Sequence, residues 1–96
     1  MDALTLEIEI YTQPACSYCA RAKRLLATKG VPFREILAPH GSAERADAIR
    51  RSGGRTTVPQ IFIGGEPIGG SDELALLAAS GELDRKLGSA TMLAKP

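Results

Sequence analysis

The chain has 96 residues, 44% of them hydrophobic, and this length suits a single small domain with a modest core. Twelve basic residues balance eleven acidic ones, and the aromatic residues are two tyrosines and two phenylalanines, so the sequence lacks the basic field and the stacking surface of a nucleic-acid-binding protein. No stretch has the roughly 20 apolar residues of a membrane span or the pattern of a signal peptide, and we therefore expect a cytoplasmic protein with no membrane partner.

The first predicted element is a strand over residues 4–11, because hydrophobic and polar side chains alternate there. Pro14 ends the strand, and from Ser17 the spacing of apolar residues becomes helical. The apolar face of this first helix consists of Cys19, Ala22, Leu25 and Leu26. The glycine and proline that follow end the helix before a second short strand at 33–37.

The second helix is predicted over Ser42–Ser52, with its first serine as the cap and with Ala46 and Ile49 facing inward. A third strand is predicted over 58–63. The two glycines that follow it indicate a hairpin, which leads into a short edge strand at 67–68.

The last helix is predicted over 71–80, with one or two further turns at 82–87. Residues 88–96 lack a pattern and are expected to form a flexible tail. The order β-α-β-α-β-β-α predicts an α/β fold, in which a parallel first unit and an antiparallel hairpin share a four-stranded mixed sheet flanked by helices. We expect a single domain over 1–96 with its core at about 5–87.

The two cysteines of the chain, Cys16 and Cys19, lie at the predicted junction of the first strand and helix, in YTQPACSYCA. Residues three apart are neighbours on a helical turn, so the two sulfur atoms can meet. The start of a helix favours an anion, which predicts that Cys16 is the attacking thiolate. Cys19 lies on the apolar face and is predicted to be the resolving thiol. A CxxC within a βαβ pattern therefore predicts a thioredoxin-like redox pair.

Other interpretations of the cysteines are weaker. They could be unreactive thiols or an incidental disulfide. A zinc site needs four nitrogen or sulfur ligands, and the candidates here are Cys16, Cys19 and His40, so we expect no metal site within one chain. A site shared between two chains stays open. His40 lies in a loop, where a solvated histidine is more common than a catalytic base.

Two further motifs precede and open the last helix. RTTVPQIF, over 55–62, places Pro59 near a strand start, where the preceding peptide bond is either trans at a sheet edge or cis. GGSD, over 69–72, opens the helix. Ser71 is predicted to be its N-cap, Asp72 complements the helix dipole, and the free N–H groups there can also hold a carboxylate.

The patterns IYTxxxCxYC, TVPQIFI and IGGxDxL, in this order and spacing, resemble a dithiol glutaredoxin over roughly residues 8–87. The resemblance implies a thioredoxin fold with sheet order 2-1-3-4, in which Pro59 is cis and faces the cysteines. It also implies a glutathione-dependent thiol–disulfide oxidoreductase, monomeric, that reduces protein–glutathione mixed disulfides and protein disulfides. Cys16 would be the nucleophile and Cys19 the resolving thiol.

The resemblance further implies a groove for glutathione. Its expected members are Gln13, Tyr18, Arg51, Thr57, Val58, Pro59, Gly70, Ser71 and Asp72. Thr57 and the backbone of Val58 would pair with the main chain of the tripeptide. Ser71 and Asp72 would hold its γ-glutamyl end, with Asp72 on the ammonium group.

Three positions depart from the common family pattern. Gln13 and Arg51 are expected to contact the glycyl carboxylate of glutathione. Gln13 stands where lysine is frequent in the family and carries no charge, so carboxylate binding is expected to be weaker unless Arg51 or Arg55 compensates. Ser17 replaces a common proline and adds an N–H and a hydroxyl. Ser71 replaces a common cysteine and so removes a third thiol.

Two alternative functions from other classes follow from the same residues. Two chains, each giving Cys16, could hold a [2Fe–2S] cluster with two glutathione molecules. The chain could also be a thioredoxin-like carrier reduced by a flavoprotein, although the TVP and GGSD motifs argue against this. A purely structural module is the weakest option.

Overall fold

The computed structural model describes the backbone of residues 7–93 and the side chains of residues 7–88. The predicted strand positions 4–6 and the tail positions 94–96 lie outside this range. The elements are β1 (Ile8–Thr12), α1 (Ser17–Thr28), β2 (Arg34–Leu37), α2 (Ala43–Arg51), β3 (Gln60–Ile63), β4 (Glu66–Gly69), α3 (Ser71–Ser80) and α4 (Glu82–Leu93). None of the described helices is long and apolar enough to cross a membrane.

The four strands form one mixed sheet in the order β2-β1-β3-β4. β1 runs parallel to β2 and antiparallel to β3, and β3 and β4 form the antiparallel hairpin. The predicted strand order and directions are therefore confirmed. The loop that follows β1 contains Cys16, and the loop that precedes β3 contains Pro59. Because β1 and β3 are antiparallel neighbours, these two loops lie at the same end of the sheet.

Hydrophobic residues are buried on both faces of the sheet, because helices cover both. Alternation along β1 sends Ile8 and Ile10 to the larger core, where α1, α3 and α4 pack. Tyr11 points to the opposite face and is buried there against Phe62 and against Ala48 of α2. The Tyr11 and Phe62 rings meet edge to face, with centroids 5.6 Å apart. α2 covers this face of the sheet, as expected for a sheet flanked by helices, so Tyr11 is buried there.

The phase of α2 differs from the predicted one. Ser42 is the N-cap, as predicted, and its hydroxyl accepts a hydrogen bond from the N–H of Arg45. From this start, the helical repeat turns Arg45 and Ala48 towards the protein interior, while Ala46, predicted to face inward, is exposed. The buried position in the first turn is therefore held by an arginine.

Two element boundaries also differ. β3 begins at Gln60, two residues later than predicted, immediately after Pro59, which has no N–H to donate to a ladder. Gly81 ends α3 with a φ of +83° and leads directly into α4. Leu83 and Leu87, four residues apart, anchor α4 in the larger core, and the helix continues to Leu93 rather than ending at residue 87.

Candidate active site

Cys16 lies at the N terminus of α1, directly after a sharp turn. Ala15 adopts a φ of +57°, in the left-handed region that costs a non-glycine residue roughly 1–3 kcal/mol. The turn brings Cys16 into the N-cap position, where its Sγ accepts a hydrogen bond from the N–H of Cys19 at 3.1 Å. Cys16 is also partly exposed. A thiolate formed here is stabilised by this N–H and by the positive end of the helix dipole.

Cys19 lies one turn further along α1 and is only 2% exposed. Its burial, and then its hydrogen bond with Cys16, raise the pKa of Cys19 to about 12. Cys19 is therefore a protonated thiol at neutral pH, whereas Cys16 is the accessible one. This difference between the two free thiols is what a nucleophile and a resolving thiol require.

A groove of about 480 Å³ opens beside Cys16, between the β1–α1 loop, the start of α2 and the loop before β3. Its lining residues are Gln13, Cys16, His40, Gly41, Arg45, Ile49, Thr56, Thr57 and Val58. The peptide bond that joins Val58 to Pro59 is cis, as expected. Polar side chains on three separate loops and helices thus converge on the exposed sulfur.

Arg45 provides a buried positive charge in the wall of this groove and is 6% exposed. Its guanidinium donates hydrogen bonds to the carbonyl of Ala38 at 2.7 Å, to Oε1 of Gln13 at 3.0 Å, and twice to the carbonyl of Thr56. All these acceptors are neutral, and within residues 7–88 no carboxylate pairs with Arg45. A buried charge without a counter-ion is costly, so the groove favours an anionic ligand.

A second pocket, of about 260 Å³, lies on the other side of Thr57 and Val58. Its lining residues are Tyr18, Arg55, Thr57, Val58, Pro59, Gly70, Ser71, Asp72 and Glu73. Both spaces are lined by Thr57 and Val58, so the two pockets are neighbours, and together they are called the two-part site.

The start of α3 forms the far side of the second pocket. Gly70, not Ser71, is the N-cap, so the predicted cap was wrong. The N–H of Gly70 donates to the carboxylate of Glu73 at 2.8 Å, which is the main reason why the pKa of Glu73 is lowered. Ser71 is the first helical residue, and its hydroxyl accepts from Nε of Arg21 instead. Asp72 is exposed beside it at the positive end of the helix dipole.

The Glutaredoxin family model matches residues 8–68, which include the cysteine pair and the RTTVPQIF motif at 55–62. The chain belongs to the glutaredoxin family. Glutaredoxins are glutathione-dependent thiol–disulfide oxidoreductases, so the predicted class of enzyme is confirmed. The alternative of a thioredoxin-like carrier is not favoured.

Similar proteins cover nearly the same length. Glutaredoxin 3 of Escherichia coli is 54% identical over 77 residues, which are 80% of this chain and 92% of the relative. The solution structure of a Brucella melitensis glutaredoxin is 47% identical, has a TM-score of 0.75, and the match covers 95% and 97% of the two chains. A buckwheat glutaredoxin–glutathione complex is 29% identical, with a TM-score of 0.78 and coverage of 90% and 80%. The fold is the expected thioredoxin fold.

Eight of the nine residues expected from the glutaredoxin resemblance line the two-part site. Arg51 does not. Its guanidinium lies on the other side of α2, where it pairs with Glu9 at 2.8 Å, donates to the hydroxyl of Tyr11 and stacks over the ring of Phe62. These contacts hold α2 on the sheet, and the hydrogen bond with Glu9 raises the pKa of Arg51. The arginine that meets Gln13 in this glutaredoxin is Arg45.

Several residues of the glutaredoxin site were not identified from the sequence. Arg45 could have been found from the Ser42 cap, because the third residue after a cap and Ala48 share a helical face. His40, predicted to be solvated, is exposed but also lines the groove beside Cys16. Glu73 lines the second pocket and was not identified either. Arg55, named from the sequence as a charge that could compensate for Gln13, lines this second pocket and not the groove that holds Gln13, and no local pattern predicts its pairing with Glu73 across 18 residues. Among the described residues, no group of three or more metal-ligating side chains lies together.

Proposed function

We propose that this glutaredoxin removes glutathione from protein–glutathione mixed disulfides and reduces protein disulfides, with glutathione as its co-substrate. The observation that carries the proposal is the partly exposed Cys16 in the wall of the larger groove, with the protonated thiol of Cys19 buried one helical turn further along α1. The proposal covers the whole chain, 1–96, as one domain with its core at about 5–87.

The glycyl end of glutathione is proposed to bind in the larger groove. A carboxylate there would take a charge-assisted hydrogen bond from the unpaired Arg45 and a hydrogen bond from Gln13. Arg45 thus replaces Arg51 in the expected role. It also supplies the charge that Gln13 lacks, because the two side chains are already in contact at 3.0 Å.

The γ-glutamyl end is proposed to bind in the smaller pocket. The N–H groups of Ser71 and Asp72, the two at the start of α3 that Glu73 does not occupy, suit its carboxylate, and the carboxylate of Asp72 suits its ammonium group. The exposed backbone at Thr57 and Val58, between the two pockets, is suited to pair with the main chain of the tripeptide. Tyr18 and Pro59 complete the wall beside its cysteine.

The reaction with a mixed disulfide begins when the Cys16 thiolate attacks the sulfur of the bound glutathione. The sulfur–sulfur bond to the protein substrate breaks, the substrate leaves as a thiolate and takes up a proton, and Cys16 becomes glutathionylated. A second glutathione thiolate then attacks this glutathione sulfur, which releases oxidised glutathione and the Cys16 thiolate. Cys19 takes no part in this route.

Reduction of a protein disulfide uses both cysteines. Cys16 attacks one sulfur of the substrate and forms a mixed disulfide with it. Cys19, three residues away on the same turn, loses its proton and displaces the substrate, which leaves a Cys16–Cys19 disulfide. Two glutathione molecules then reduce that disulfide. The high pKa of Cys19 keeps it from competing with Cys16 for the first attack.

The cellular setting is proposed from the same residues. Turnover by glutathione needs a reducing compartment, which supports a cytoplasmic location. Among residues 7–88, the exposed large hydrophobic residues are Tyr18, Leu37 and Leu76, which lie on three different elements, α1, β2 and α3. Scattered apolar residues do not make a stable interface, and this supports a monomer whose protein partners are glutathionylated or disulfide-containing substrates.

The deciding experiment measures glutathione-coupled reduction of a glutathionylated test protein and of a protein disulfide by wild type, Cys16→Ser and Cys19→Ser. We expect Cys16→Ser to lose both activities. Cys19→Ser should keep the first and lose most of the second. If Cys16→Ser remains active on the glutathionylated protein, the nucleophile is assigned wrongly. Wild type with no activity would remove the proposed function itself.

A second candidate function is the carriage of a [2Fe–2S] cluster. Cys16 is the accessible thiol of each chain, and the exposed Ser17 replaces a proline next to it, so two chains and two glutathione molecules could supply four thiolates. Anaerobic reconstitution should then give visible absorbance and a dimer, both lost in Cys16→Ser. A colourless monomer after reconstitution would dismiss this candidate.

A further inference from the structure

Arg21 of α1 bridges to the start of α3 and contacts three residues of the two-part site without lining it. Its Nε donates to the hydroxyl of Ser71 at 3.1 Å, and its NH2 group donates to Oδ1 of Asp72 at 2.9 Å. Its Cζ lies 5.2 Å from the centroid of the Tyr18 ring. One side chain thus joins residues that are 50 positions apart in the sequence.

These contacts do not serve the stability of the fold in any large measure. The side chains of Arg21 and Asp72 are 52% and 80% exposed, and an ion pair this exposed adds little to stability. Their effect is on geometry. Asp72 on its own would sample several rotamers at the helix start, and the planar fork of the arginine selects one of them.

The selected arrangement leaves part of the carboxylate available. Oδ1 of Asp72 accepts from Arg21, whereas Oδ2 has no hydrogen-bond partner among residues 7–88. A ligand ammonium group can therefore bind Oδ2 while Arg21 keeps Oδ1. A ligand carboxylate next to that ammonium meets both the helix N terminus and the positive field of the arginine.

We propose that Arg21 is a positioning residue that sets the preference of the enzyme for substrates carrying an α-amino-acid head group, the γ-glutamyl end of glutathione. The inference rests on the proposed function, because it assumes that this end binds beside Asp72. Arg21 acts through Asp72, Ser71 and Tyr18, and it takes no part in sulfur chemistry. Its removal affects recognition of the γ-glutamyl group rather than the rate of thiol exchange.

The test compares two substrates that differ in this group alone. A peptide is prepared as its mixed disulfide with glutathione and, separately, with cysteinylglycine, which lacks the γ-glutamyl group. KM and kcat for both are measured with wild type, Arg21→Gln and Arg21→Lys. The matched control is Arg24→Gln, which removes the same charge from the same helix at an exposed residue with no described hydrogen bond or ion pair.

We expect Arg21→Gln to raise KM for the glutathionylated peptide about fivefold to tenfold, with kcat within about twofold of wild type. KM for the cysteinylglycine peptide should not change. Arg21→Lys, which can still reach one acceptor, should restore part of the loss, and Arg24→Gln should behave as wild type.

Three results would overturn the inference: an unchanged preference in Arg21→Gln, an equal loss on both peptides, or a lower KM, which would mean that Arg21 competes with the ligand for Asp72. Failure of the proposed function would look different. Wild type itself would then show no preference for the glutathionylated peptide over the cysteinylglycine peptide.

Discussion

Replacement of Arg45 by glutamine is expected to weaken both the fold and the binding of glutathione. The guanidinium makes four hydrogen bonds, and three acceptor groups lose them together. The Ala38 carbonyl belongs to a fully buried residue, and an acceptor left unsatisfied there costs about 1–3 kcal/mol. The Thr56 carbonyl belongs to an exposed residue and can accept a hydrogen bond from water instead. Removal of the unpaired charge offsets part of the loss, which leaves a net destabilisation of about 2 kcal/mol.

The effect on binding follows from the same charge. A hydrogen bond between a carboxylate and a charged donor contributes about 1.5–3 kcal/mol, so its loss should raise KM for glutathione about 10-fold to 150-fold. The glycyl carboxylate is remote from the reacting sulfur atoms. Its contact with Arg45 is therefore the same in the ground state and in the transition state, and kcat should change little.

Urea unfolding and glutathione-dependent kinetics measure the two effects, with kinetics recorded where the variant is fully folded. Arg45→Lys keeps the charge and should retain more affinity than Arg45→Gln. Arg50→Gln, on the exposed side of the same helix, is the control for loss of a positive charge outside the groove, and it also removes the surface ion pair with Asp47. The reasoning fails if Arg45→Gln keeps its affinity for glutathione, or if Arg50→Gln loses as much.

Three further predictions concern stability and titration. Gly69 has a φ of +114°, and a Cβ there would lie 2.9 Å from the Cβ of Glu73, so Gly69→Ala should lower the free energy of unfolding by about 1–3 kcal/mol. Gly88 lies in α4 with open space around its Cα, so Gly88→Ala should raise the free energy of unfolding by about 0.5–1 kcal/mol. Equal effects of the two substitutions in urea unfolding would contradict this reasoning. Burial is the largest cause of the raised pKa of Cys19 and persists when Cys16 is replaced, so Cys19 in a Cys16→Ser background should resist iodoacetamide at pH 8 when folded and react readily in urea, as mass spectrometry can record; fast labelling of the folded protein at pH 8 would disprove the assignment. The folded-state pKa of Glu73 is lowered, so its contribution to stability is full above the ordinary glutamate pKa and is lost as the pH falls through the folded value; Glu73→Gln should flatten unfolding free energy against pH in that acidic range, and an unchanged acid profile would count against the Gly70 contact.

The sequence by itself determined the parts of this glutaredoxin that depend on neighbouring residues. Alternation along β1 and the helical spacing after Ser17 indicated both elements, because side-chain direction follows from the local backbone repeat. The roles proposed for the two cysteines also rest on local features. Their order along one helical turn decides which sulfur meets the helix N terminus and which is buried.

The identities of the groove residues depended on packing between distant segments. Arg45 and Arg51 are both arginines of α2, and although the Ser42 cap predicts that Arg45 faces inward, it does not predict which groups either guanidinium contacts. Their contacts depend on how α2 packs on the sheet. Arg51 pairs with Glu9 and stacks over the ring of Phe62, whereas Arg45 donates hydrogen bonds to the loop carbonyl of Thr56.

The same reason explains the bridge from Arg21 to the start of α3. Arg21 and Arg24 both lie on exposed turns of α1, and only the approach of α3 gives Arg21 a hydroxyl and a carboxylate to bind. The contacts of residues that interact with their neighbours along the chain can thus be predicted from the sequence. The contacts of residues whose partners lie on another element depend on the tertiary structure, because the sequence specifies their charge but not the distance to the partner.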